Sequence, residues 1–172
     1  MLIGKGVSAM NGVHLDARFP WLLEIGRDTG LSVGVMVLTH DSSTRRQTGY
    51  TRIARVKIGE RVYIGAHAIV LPGTTIGDDV IVAAGAIVRG EIPAGAVVAG
   101  VPARQVGTTE EYTRVHMEGI ENGPAWSVDD WPFSGAVPIE KQRAMLDALG
   151  DGVGYVGRPL RPTSKVAAPG DS

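Results

Sequence analysis

Four histidines, His14, His40, His67 and His116, are the side chains of this chain best suited to moving a proton near neutral pH. There is no cysteine, which excludes a thiolate nucleophile, a thiolate metal site and a disulfide framework. Neither a Gly-x-Ser-x-Gly elbow nor a Walker loop is present. His40 stands apart from the other three because of its place in Val37-Leu-Thr-His-Asp41. An aliphatic pattern stops there and a polar stretch, Asp41 to Tyr50, begins. An imidazole at such an edge can accept a proton from a hydroxyl group. It does so best when a partner fixes its tautomer. Asp41 is adjacent, but neighbours in an extended chain point to opposite faces. Asp16 and a backbone carbonyl are equally open as the partner. His40 and His67 lie 27 residues apart with no other histidine close to either. A zinc site built on three histidines is therefore not expected, and no metal is expected.

The elements that must position His40 follow from a period of six. Ile58, Ile64, Val70, Ile76, Val82 and Val88 recur at that interval, and all are β-branched. Two residues before each stand Val56, Val62, Ala68, Thr74, Val80 and Ala86, all small or β-branched. Upstream the same habit reads Val7, Val13, Phe19, Ile25, Leu31, Val37. A helix would repeat near 3.6 and a strand at 2, so neither alone explains six. A short strand, a corner and another strand do explain it. Three such segments close a triangular coil, and stacked coils bury what no single coil can. Each aliphatic side chain so buried contributes about 1.5–3 kcal/mol before entropy is counted. Gly makes up 24 of 172 residues, in keeping with frequent tight corners.

The distance from Val37 to Ile58 is 21 residues, not a multiple of six, so residues 41–55 are predicted to leave the stack as a protruding loop. That loop and its flank carry Arg45, Arg46, Arg52, Arg55 and Lys57, with no acidic residue from Ser42 to Lys57. This basic run suits an anionic acceptor or phosphates. It lacks aromatic interleaving and any nucleic-acid motif. The formal net charge of -1 gives no general attraction to nucleic acid or anionic membrane. No apolar run reaches the length of a membrane span, and the N-terminus does not read as a secretory signal, so a cytoplasmic location is the expectation. Thr108-Thr-Glu-Glu111 has capping-box spacing and predicts a helix to about Met117. A segment over 121–137 with Pro124, Trp126, Trp131, Pro132 and Phe133 is expected to be irregular and pinned by its rings. A second helix is predicted from Ile139 to Leu149, ended by Gly150. The stretch 158–172, with Pro159, Pro162 and Pro169, reads as a loose tail.

The run Ile58-Gly-Glu-Arg-Val-Tyr-Ile-Gly-Ala-His-Ala-Ile-Val-Leu-Pro-Gly-Thr-Thr-Ile-Gly77, together with Val98-Ala-Gly-Val-Pro-Ala-Arg104, resembles the hexapeptide-repeat acyltransferases. The likeness covers residues 1–107 and is strongest over 56–107. It implies an all-β fold, a left-handed parallel β-helix over 1–107 with the 41–55 excursion. The residues beyond it, 108–157, read as a helical and irregular extension. The handedness is implied by the resemblance alone. The resemblance also implies a coenzyme-A-dependent O-acetyltransferase acting on a sugar or saccharide-like hydroxyl, with acetyl-CoA as co-substrate and His40 as general base. It places coenzyme contacts at Tyr63, Ala66, Ala84, Arg89 and Arg104, the last facing a phosphate. Acceptor contacts fall in the segment of Asn11 and His14, and Asn11, Asp16 and Asp41 are the substrate-contact candidates. Members of the family are usually homotrimers with active sites between subunits. The competing expectations are a non-catalytic scaffold or binding protein and a metal-dependent enzyme like the gamma-class carbonic anhydrases.

Overall fold

The computed structural model describes residues 1–129, 131 and 137–158. The chain divides into two compact units, Met1–Thr113 and Arg114–Ser172.

The first unit is a coil of strands, most of them two or three residues long, stacked into three sheets. Inward-facing positions make the stack. On the first side Leu2–Ile3, Leu23–Ile25, Val56–Ile58, Thr75–Ile76 and Glu91–Ile92 pair in parallel, in that order. On the second side Ser8–Ala9, Gly30–Leu31, Tyr63–Ile64, Ile81–Val82 and Ala96–Gly100 do the same. The third side joins His14–Leu15, Met36–Val37, Ile69–Val70 and Ile87–Val88. Because residues i and i−2 of a strand share a face, each side contributes two inward columns. Ile58, Ile64, Val70, Ile76, Val82 and Val88 are all buried, and so are the six residues two places before them. The hexad phase read from Ile58 is therefore the core of the molecule.

The corner after the first side turns on residues of positive φ, Asp28, Arg61 and Asp79 among them, and the glycines that lead into it form a close column. Gly4, Gly26, Gly59 and Gly77 stack at the corner after the first side. A Cβ on Gly26 would lie 2.5 Å from the Gly59 backbone, and one on Gly77 would lie 2.5 Å from the Ala94 amide nitrogen. Stacking at this spacing leaves no room for a side chain there. Among the described residues no buried side-chain nitrogen or oxygen lacks a hydrogen-bond partner. Thr29, at 0% exposure, shows why: its hydroxyl donates to the Gly59 carbonyl at 2.9 Å and accepts from the Val62 amide at 3.2 Å.

The upstream phase differs from the expectation. Ile3 pairs with Ile25, Ala9 with Leu31 and Leu15 with Val37, so Val7 and Val13 occupy the second inward column. Leu15 to Ile25 spans ten residues where the hexad gives six. The four additional residues form a bulge at 16–22 that includes a 3-10 turn, Pro20–Leu22. Phe19 lies in this bulge and not in a core column. Proline at the start of the turn, lacking an amide hydrogen, suits a chain leaving the ladder.

The second interruption is the expected excursion. It is a small antiparallel pair, His40–Asp41 with Arg52–Ile53, carrying a one-turn helix α1 (Arg45–Thr48). At the far end Ala96–Gly100 is followed by an antiparallel return strand, Ala103–Thr108. Helix α2 (Thr109–Asn122) then begins with the capping box read in the sequence. The Glu111 amide donates to the Thr108 hydroxyl at 3.2 Å, and the Thr108 amide donates to the Glu111 carboxylate at 3.1 Å. The helix runs past the expected end near Met117.

The second unit holds the rest of α2, a parallel pair Ala125–Ser127 with Tyr155–Gly157, and α3 (Ile139–Leu149). The 121–137 stretch thus contains a strand where an irregular segment was expected. Trp126 and Trp131 meet edge to face at 6.0 Å. Pro132, Phe133 and the expected tail beyond Arg158 lie outside the described residues. Among the described residues no helix is long and apolar enough to cross a membrane.

Candidate functional site

The two interruptions of the hexad meet. The bulge begins at Asp16, directly after the third-side strand His14–Leu15, and the excursion begins at His40, just after the third-side strand Met36–Val37. Those strands are register neighbours, so departures at the same end of both bring Asp16 and His40 side by side. His40 Nδ1 lies 2.5 Å from Asp16 Oδ2.

Asp16 is 2% exposed and saturated with donors. The Arg18 amide donates to Oδ1 at 3.0 Å, and the Thr39 amide and hydroxyl donate to Oδ2 at 3.0 and 2.8 Å. Burial by itself would raise the Asp16 carboxyl. The bonds from the Thr39 amide, the His40 ring, the Arg18 amide and the Thr39 hydroxyl outweigh it and hold the group far below the usual carboxylate range. An ionised carboxylate only accepts, so the hydrogen in the His40 contact sits on Nδ1. Nε2 is then the nitrogen with the free lone pair. The His40 side chain is 29% exposed, which leaves its ring open to a small molecule. Phe19, from the bulge, packs against it edge to face at 5.8 Å.

Of the other candidates, Asp41 accepts a hydrogen bond from the Ser43 amide at 2.8 Å, and this bond chiefly lowers its pKa. Asn11 is exposed at a first-coil corner, where its carbonyl accepts from the Gly34 amide. Tyr63, Ala66 and Ala84 come together, lining a groove of about 320 Å³ on the second side with Ala83, Val97 and Tyr112. Close stacking narrows its floor, since a Cβ on Gly65 would meet the Ala84 amide nitrogen at 2.6 Å. Arg89 and Arg104 do not line this groove. Arg89 is exposed at the corner after the fourth third-side strand, and Arg104 Nη1 donates to the Ala103 carbonyl at 2.9 Å. Trp21 is a residue that the hexad reading passed over, and Phe19 one that it placed in a core column. The signal that could have found them is the bulky aromatic pair flanking a proline, where the period asks for a small corner residue.

Comparison with known proteins fits this architecture. Residues 55–90 match the family described as "Bacterial transferase hexapeptide (six repeats)". Those residues carry the hexapeptide repeat that this family model describes. Over 111 residues the chain is 37% identical to "Putative acetyltransferase YvoF" of Bacillus subtilis (strain 168), covering 64% of this chain and 62% of that protein. It is 43% identical over 61 residues to the galactoside O-acetyltransferase of Escherichia coli (strain K12), 36% of this chain and 30% of that one. Among solved structures, a maltose O-acetyltransferase from Clostridium difficile 630 superposes with a TM-score of 0.55 at 31% identity, covering 62% of this chain and 57% of that one. The chain therefore spans less than two thirds of each of these relatives.

Proposed function

We propose that the protein is a coenzyme-A-dependent O-acetyltransferase whose acceptor is a hydroxyl of a saccharide. The observation that carries this reading is the Asp16–His40 pair, with Nδ1 tied to a buried carboxylate and Nε2 free beside a solvent-open loop. Asp16 acts as the positioning residue for the ring. His40 accepts the acceptor's hydroxyl proton at Nε2 as that oxygen becomes the nucleophile, and the same nitrogen returns the proton to the leaving sulfur. The nearby Asp16 charge stabilises the imidazolium between those events. Acetyl-CoA supplies the acetyl thioester, whose carbonyl carbon takes the acceptor oxygen as the C–S bond breaks. The groove of Tyr63, Ala66 and Ala84 has the small side chains and exposed strand backbone that suit an extended pantetheine arm. Arg89 and Arg104 are the candidates for the phosphates at the far end of the coenzyme.

The acetyltransferase names of the relatives, and the sugar named for two of them, support the reaction class and the acceptor class. The same likeness supports a left-handed coil over residues 1–107 and a homotrimer with sites between subunits. The cytoplasm, where acetyl-CoA is abundant, is the matching location. Turnover of acetyl-CoA with a panel of saccharides tests the proposal. His40→Ala should lower kcat about 10²- to 10⁴-fold. Equal rates for the variant and the wild type would overturn it. Free coenzyme A should also raise the melting temperature by mass action.

A further inference from the structure

The bulge at 16–22 positions more than Asp16. It sets three rings in a row. The His40 and Phe19 rings lie 5.8 Å apart at 67°, and Phe19 and Trp21 lie 5.9 Å apart at 89°. The row starts at the partly buried imidazole and ends in solvent, where Trp21 is 70% exposed. The backbone of Trp21 is fixed within the Pro20–Leu22 turn. An indole held open to water by a rigid turn offers a flat, largely apolar face with a polar edge.

Positive charge flanks the row. The Arg18 guanidinium lies over Phe19 at 6.0 Å. Trp21 opens onto a cavity of about 160 Å³ lined also by Leu22, Glu24, Arg55 and Lys57. Arg55 and Lys57 belong to the basic run noted in the sequence. Among the described residues no ion pair or hydrogen bond engages either side chain. Glu24 is the single acid in the lining and is the register partner of Lys57. Two unengaged cations beside an exposed indole are complementary to a ring that carries an anionic group.

We infer that this row is the acceptor subsite and that the acceptor is an acidic saccharide of at least two units. This rests on the acetyltransferase reading above. One sugar presents its hydroxyl to His40 Nε2 and packs on Phe19. The next lays its C–H face on Trp21, with its carboxylate or other anionic substituent between Arg55 and Lys57. Two ring-to-ring steps, of 5.8 and 5.9 Å, separate His40 from Trp21, so the sugar that stacks is not the sugar that reacts.

Titration of the full chain with trigalacturonic acid, a hyaluronan tetrasaccharide and sialyllactose, each against neutral maltotriose, tests this by tryptophan fluorescence and calorimetry. At least one acidic probe should bind about tenfold or more tightly than maltotriose, and added salt should weaken it. Trp21→Phe should abolish the fluorescence response. The Arg55→Ala/Lys57→Ala double variant should weaken the calorimetric affinity about tenfold while leaving coenzyme A binding unchanged. If no acidic probe binds more tightly than maltotriose, or if both variants bind as the wild type does, the subsite is wrong. If coenzyme A still raises the melting temperature and acetyl transfer still depends on His40 in that event, the acetyltransferase reading stands without it.

Discussion

Residues 56–88 and residues 1–55 run on the same hexad, yet only the second stretch departs from it. From Ile58 to Val88 every sixth residue is a buried Ile or Val, and the strands stack at a constant step of eighteen residues per coil. Before Val56 the coil is broken twice, at 16–22 and at 38–55, and the proton-handling pair sits where those breaks meet. The contrast teaches how a solenoid divides its labour. The uninterrupted coils provide rigidity and a groove between stacked strands. Departures from the period, anchored on that rigid stack, bring polar groups to the edge where they can react.

If that division is right, changes in the two stretches should fail in different ways. Asp16→Asn should have the largest effect on chemistry. It keeps the shape of the side chain but no longer enforces the Nδ1–H tautomer, so kcat should fall by about 10²-fold or more with a smaller change in KM, measured by steady-state kinetics. Ile64→Ala, in the uninterrupted stretch, should do the reverse. It should destabilise the fold by about 2–5 kcal/mol in denaturant titration. The folded fraction should keep its kcat. Ala84→Leu, which fills the exposed groove without touching the core, should raise KM for acetyl-CoA about tenfold and leave the melting temperature where it was.

The smallest effect separates the stretches by pH. Asp16 ionises far below the usual carboxylate range in the folded protein. A group depressed in this way stabilises the fold fully above its unfolded pKa, and the contribution fades as pH falls through the folded value. The stability difference between wild type and Asp16→Asn should therefore be flat from about pH 8 to 5 and begin to close below about pH 4. Ile64→Ala should show no such closing, because no titrating group is lost.

The same contrast explains what could be read from the residues alone. A buried column announces itself by spacing, because every Ile or Val must face inward, so the core from Ile58 to Val88 was legible. So were the capping box at Thr108–Glu111 and the excursion after His40, each marked by a local break in pattern. The slip at 16–22 was not. Val7, Val13 and Phe19 keep the interval of six by accident, because four added residues move the chain from one inward column to the other. With that slip unseen, the partner of His40 stayed open between Asp16 and a backbone carbonyl. Asp16 meets His40 through the pairing of two third-side strands, 24 residues apart in sequence. Neighbouring strands of different coils leave no trace in local spacing. Trp21 was hidden for a related reason, since an aromatic ring beside a proline signals a turn but not which way the turn faces.

Nitrogen-15 spectroscopy of the histidine rings in the wild-type protein tests the central claim most directly. In the neutral imidazole of His40 the hydrogen should reside on Nδ1, coupled to the Asp16 carboxylate, with Nε2 unprotonated. Asp16→Asn should abolish that preference. A His40 ring carrying its hydrogen on Nε2 in the wild type would contradict the account, because the nitrogen assigned to take the acceptor's proton would already hold one.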